Sequence, residues 1–299
     1  MLHLEERLEN DLTAIRNRIA EQASRVETAV VDALQALQTG NKQQAYSTIL
    51  NDYPINRASR EIDRLCHRFI AVHLPSGAHL RLLSAVIRVN IELERVGDYA
   101  VTIAREGVQL LSKPADAMGR ELERMASETM LMIKQATRAF NELNAELARS
   151  TMVMSDAMEY NLSNVYQEIA DTTAVTDIKD KLALFVVFNQ LKRVADQAKN
   201  LCENAVFAAT GAEKSPKVFH ILFVDQDNSL LSQLAEAIAR KNYPEVANFR
   251  SAGQTAADSL NPDLVGFLTE RGMIVDDLRP EAINDLSSRD IANQDVIVC

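Results

Sequence analysis

The stretch LERVGDYA at residues 93–100 has a counterpart, LKRVADQA at residues 191–198, and this pair decides the fold. Residues 82–106 laid over 180–204, an offset of 98, meet identical residue types at Ala85, Val89, Leu93, Arg95, Val96, Asp98 and Ala100. The matching positions are 183, 187, 191, 193, 194, 196 and 198. The shared apolar residues recur three and four apart, which is helical spacing, so the chain carries one helical unit twice.

Working outward, Leu8, Leu12, Ile15, Ile19, Val26, Val30, Leu34 and Leu37 trace one long amphipathic helix over residues 4–38, with a single polar gap at Gln22. Gly40 ends it. NKQQAYSTILNDY and PINRASREIDRLCHRFIAVHL read as two shorter helices, PSGAH at 75–79 as a break, and residues 80–111 as a long helix stopped by SKPAD. The grammar then restarts. Leu122, Met125, Thr129, Met132, Ala136, Phe140, Leu143 and Leu147 predict a second long helix, followed by a shorter element at 152–170 and a long helix over 175–209. Short connections make such units antiparallel three- or four-helix bundles.

After TGAEKSPK the pattern changes: VFHILFV reads as a strand, LLSQLAEAIARK as a helix, and alternation continues through VANFRSAG, NPDLVGFLTERG and the final DVIVC. This is a small α/β domain with a mostly parallel sheet. The expected division is repeat 1 at 1–112, repeat 2 at 113–210, a linker at 211–216 and the α/β domain at 217–299. That domain stops on an apolar strand, which suggests a truncated chain.

Composition narrows the function classes. With 47% hydrophobic residues in 299, nine Gly, seven Pro and no Trp, the bulk is helical. A formal net charge of -10 disfavours general attraction to nucleic acid or anionic lipid. No apolar run reaches membrane-spanning length and the N-terminus MLHLEERLEND is charged, so the expected location is the cytoplasm, peripheral to a membrane at most. Cys66, Cys202 and Cys299 lack the spacing of a disulfide framework or a zinc site. The five histidines show no metal-ligand spacing and read as surface or boundary residues.

Glu94 and Asp98 stand four apart and interrupt the stripe Ile87, Ile91, Val101. A buried carboxylate needs a proton, a basic side chain or a metal ion. Three readings stay open: exposure to solvent, ion pairs with Arg81, Arg88 or Arg95, or a shared cation. Gly97 between them would admit a neighbouring helix.

The doubled unit, LERVGDYA, and NDYPINRASREIDRLCHRFI followed by LRLLSAV together resemble the PhoU family of phosphate-signalling regulators over residues 1–210. The resemblance implies two three-helix-bundle repeats, an acidic motif holding iron, zinc or another divalent metal ion, and negative regulation of phosphate metabolism. It also implies a phosphate ABC transporter and a sensor histidine kinase as partners, with a homodimer as the oligomeric expectation. Carried over residue by residue, it places Glu94, Asp98, Asp52 and Asn56 in the first repeat's site. In the second repeat Lys192 replaces the Glu, leaving Asp196, Asn200 and Asp156, and its built-in cation disfavours metal there.

The tail resembles the low-molecular-weight protein tyrosine phosphatase and arsenate reductase family. Asn228, Ser229 and Ser232 fit its phosphate loop, but Asp225 stands at the nucleophilic Cys position and Leu231 at the Arg position. The expectation is a pseudo-phosphatase: no catalytic residue, no enzyme. The competing readings are a phosphatase or arsenate reductase on a helical scaffold, or a receiver-like domain whose acidic strand end binds magnesium.

Overall fold

The computed structural model describes residues 2–111, 114, 116–171, 175, 177–214, 216, 218–287, 290–291 and 293–299. Two compact units divide the chain, Met1–Lys214 and Ser215–Cys299. The first is all helix: α1 Leu2–Thr39, α2 Lys42–Leu50, α3 Asp52–His73, α4 Gly77–Gln109, α5 Asp116–Asn141, α6 Ala145–Asp171 and α7 Ile178–Thr210. One hydrophobic core runs through all seven, so the two halves share an interior.

The long helices α4 and α7, which carry the two matching stretches, pack along each other at its centre. Equivalent positions touch: Gln197 Nε2 donates to the Tyr99 hydroxyl at 3.5 Å, and these residues lie 98 apart in the chain. The polar gap in the α1 stripe has a specific use. Gln22 is fully buried and its Nε2 donates to the Ile55 carbonyl of α3 at 3.0 Å. Cys66 and Cys202 sit in this core, where burial pushes each thiol up to about 12 and keeps it inert.

Two sequence readings are corrected. The helix expected to continue through Leu147 ends at Asn141, because Leu143 turns left-handed (φ 51°) and the Asn144 carboxamide accepts from Leu147 N at 3.0 Å, starting α6. The apolar periodicity hid this break, since Leu143 and Leu147 pack against the same core from either side of it. The expected short element at 152–170 is accordingly a 27-residue helix. His73 is half-buried at the helix boundary: its side chain lies against the Phe69 ring and places Nε2 2.8 Å from Asp11 Oδ2.

The second unit holds β1 Phe219–Asp225, α8 Leu231–Asn242, β2 Ala247–Gly253, α9 Pro262–Glu270 and β3 Val296–Val298. Its sheet has the order β2-β1-β3 with parallel pairing throughout, so helices must cross over between strands. In register, Asp225 at the end of β1 lies beside Gly253 at the end of β2. A side chain at Gly253 would stand 2.4 Å from the Thr255 carbonyl and 2.7 Å from Asn228 N, so this approach requires glycine.

Candidate functional site

The flank of α3 facing α4 carries Asp52, Asn56, Ser59 and Asp63, spaced four, three and four apart. Opposite, α4 presents Asn90, Glu94 and Asp98, each four apart. Fully buried Asn90 ties the far end together: its Nδ2 donates to the Ser59 carbonyl at 2.9 Å, Ser59 Oγ at 3.1 Å and Asp63 Oδ1 at 3.0 Å. At the near end Asn56 Nδ2 donates to Asp52 Oδ2 at 2.7 Å. Gly97 closes the helices onto each other, since a Cβ there would meet Ile55 Cγ2 at 3.1 Å.

Among the described residues no basic side chain pairs directly with Glu94 or Asp98. Glu94 is half-buried and Asp98 exposed. The Glu94 carboxyl is raised above its ordinary value, first by burial and then by Asp98, Asp52 and Asp63, against a smaller pull from Arg95. Burial, followed by the charge of Asp52, raises Asp98, with Arg105 opposing. The ion-pair reading does not hold among the described residues: Arg95 bonds Glu92 at 3.2 Å, Arg88 lies over the Phe207 ring at 5.1 Å, and Arg81 Nε is buried without a hydrogen-bond partner. Asp52 Oδ1, Asn56 Oδ1 and Asn90 Oδ1 are buried and accept no hydrogen bond. Ile91 is 42% exposed, so the carboxylates line an open edge and do not interrupt a buried stripe.

The donor chemistry, carboxylate and amide oxygens with unmet acceptors, fits a hard or borderline divalent cation. Among the described residues, no three His, Cys, Asp or Glu side chains are arranged around a single ion. Asp63, Ser59 and Asn90 were missed in the sequence reading. Stepping back one turn from Glu94 reaches Asn90, and the four-three-four step from Asp52 reaches Ser59 and Asp63.

The second repeat is arranged differently. Lys192 Nζ lies 2.9 Å from Asp196 Oδ2, so the position of Glu94 is taken by a cation already paired. Asn200 Nδ2 reaches Gln197 Oε1 at 3.5 Å. Asp156 belongs to α6, and its side chain lies outside the described residues.

In the second unit the loop between β1 and α8 is closed on itself. Asp225 Oδ1 accepts from Asn228 N at 2.6 Å and Oδ2 from Ser232 N at 2.9 Å, so the carboxylate takes amides that could hold an anion. Asn228 is left-handed (φ 55°) and fully buried. Its side chain donates to Ser232 Oγ at 2.8 Å and accepts from Gln233 Nε2 at 2.9 Å and Glu281 N at 2.8 Å. Ser229 bonds Asp227, and Leu231 is 67% exposed, offering no anion clamp.

Comparison with known proteins bears on the helical unit. The family model for the PhoU domain matches residues 19–107 and 122–205, one segment in each repeat. The "phosphate-specific transport system accessory protein PhoU homolog 1" of Thermotoga maritima is 27% identical over 206 residues, covering 68% of this chain and 89% of that protein. Its counterpart in Pseudomonas aeruginosa is 26% identical over 217 residues, covering 71% and 88%. The crystal structure of PhoU from Pseudomonas aeruginosa superposes with a TM-score of 0.65 at 26% identity, covering 68% of this chain and 99% of that one.

Proposed function

Because this chain belongs to the PhoU family, we propose that it regulates phosphate uptake and phosphate-responsive signalling by protein contact, with a divalent cation held in the α3–α4 seam. The observation that carries the reading is the doubled PhoU match together with an acidic seam that, among the described residues, lies in the first repeat. The relatives' names describe accessories of a phosphate-specific transport system, which supports a phosphate transporter as one partner; the sensor histidine kinase is the second partner of this reading. The setting is the cytoplasmic side of that transporter; among the described residues no helix is long and apolar enough to cross a membrane.

Asp52, Asn56, Glu94 and Asp98 would hold the ion, which would supply positive charge where burial and mutual repulsion outweigh the pull of Arg95 and Arg105. Asn90 and Asp63 act as the rigid end of the site, fixing α4 against α3. No catalytic step belongs to this function. The closed loop at Asp225 supports a non-enzymatic second unit, because a carboxylate there repels phosphate and holds the amides a phosphate needs.

The test is a phosphate-starvation reporter in a strain lacking the gene. Loss of the chain should leave the reporter active in phosphate-rich medium, and the wild-type chain should silence it. An unaltered reporter in the deletion strain would remove the regulatory reading.

A further inference from the structure

The outer face of α3 carries a second, unrelated pattern. Tyr53, Arg57, Arg60, Arg64 and Arg68 recur at steps of four, three, four and four, on the side of the helix opposite its core residues Ile55, Ile62 and Phe69. All five are exposed. Among the described residues none of the four guanidiniums has a hydrogen bond, ion pair or ring partner. The acidic residues of α3 are turned elsewhere: Asp52 and Asp63 toward α4, and Glu61 to Arg18 Nη2 at 3.4 Å. A chain of net charge -10 therefore keeps an uncompensated cationic row on one helix.

Two further exposed side chains lie just before the row on the neighbouring helix: Asn51 (φ -73°, ψ 0°) closes α2 and opens α3, and ahead of it α2 carries Leu50 and Tyr46. These are 75% and 53% exposed, and Tyr53 is 67% exposed. Side chains of this kind, an apolar body with or without a polar tip, settle at the headgroup level of a bilayer, and arginines beside them bind lipid phosphates. A free polyanion would engage the arginines and leave Leu50 without a role.

We propose that the stripe from Tyr46 to Arg68 is a docking surface for an anionic phospholipid membrane. At physiological ionic strength charges beyond about 8 Å are screened, so the local row and not the net charge sets the sign of the contact. Helix α3 then lies along the membrane with the cation seam on its flank. The inference stands apart from the regulatory reading, since vesicle binding and the reporter are separate readouts.

Sedimentation of the full chain with vesicles tests it. Phosphatidylcholine vesicles containing phosphatidylglycerol should carry the protein down, and pure phosphatidylcholine vesicles should not. Raising NaCl from about 0.05 to about 0.5 M should release it. Replacing all four arginines with Gln should weaken binding about tenfold or more, with an unchanged melting transition because none has a partner to lose. Arg64→Glu alone gives a second variant, and Leu50→Ser with Tyr53→Ser should weaken binding several-fold at constant charge. No sedimentation with phosphatidylglycerol vesicles, equal sedimentation of the quadruple variant, or binding to inorganic polyphosphate without binding to vesicles would each overturn the proposal.

Discussion

Glu94 and Asp98 show how far a residue pair can be read from spacing alone. Two carboxylates four apart are visible in the sequence, but their environment depends on Asp52 and Asp63, which another helix brings alongside. Both carboxyls are raised in the folded chain, so the folded state holds protons that the unfolded state has released. Their contribution is thus fully present below the unfolded values, near 4.5 for Glu94 and 3.8 for Asp98, and is lost as pH rises through the folded ones. Without metal, Glu94→Gln with Asp98→Asn should gain a few tenths of a kcal/mol at neutral pH, given the exposure of Asp98. Urea melts at several pH values check this: the gain should shrink toward pH 4. Asp225 is the acceptor for two amides at the start of α8, where the N-cap Leu230 offers no side-chain bond. Asp225→Ala should cost the second unit about 1–2 kcal/mol, seen in its unfolding midpoint, and neither form should hydrolyse aryl phosphates.

At the scale of elements, the helices were legible wherever an apolar stripe met a stop signal, as at Gly40 (φ 70°), which takes the left-handed turn after α1. Leu143 and Leu74 both adopt positive φ, at 51° and 45°. Pro75 marks the end of α3 at Leu74, whereas no local signal distinguishes Leu143 from a helical leucine, and the break there was not legible. Leu74 is the C-cap of α3 and is 81% exposed, so it is held left-handed at little gain in burial. Leu74→Gly should therefore stabilise the helical unit by about 1 kcal/mol, measured as a higher urea midpoint with an unchanged slope. An unchanged midpoint would mean that the left-handed turn carries no strain. In the second unit the strand and helix order followed from composition, whereas the locking role of Asn228 came only from contacts with Gln233 and Glu281, the latter 53 residues away.

For the whole molecule, a repeat readable at an offset of 98 became two halves around one core, and the difference between them is chemical. In the first half, among the described residues, Glu94 and Asp98 have no directly paired basic side chain; the second half answers its carboxylate with Lys192. That contrast was legible as a single substitution, Glu to Lys, while the partner side chains Ser59, Asp63 and Asn90 emerged only when α3 was laid against α4. The first repeat alone should gather a cation. Elemental analysis of the full chain loaded with divalent metal and then desalted tests it most directly, in wild type, in Glu94→Ala with Asp98→Ala, and in Asp196→Ala. The account predicts bound metal in wild type and Asp196→Ala and none in the double variant. Equal loss of metal in Asp196→Ala and the double variant, or no metal in wild type, would contradict it.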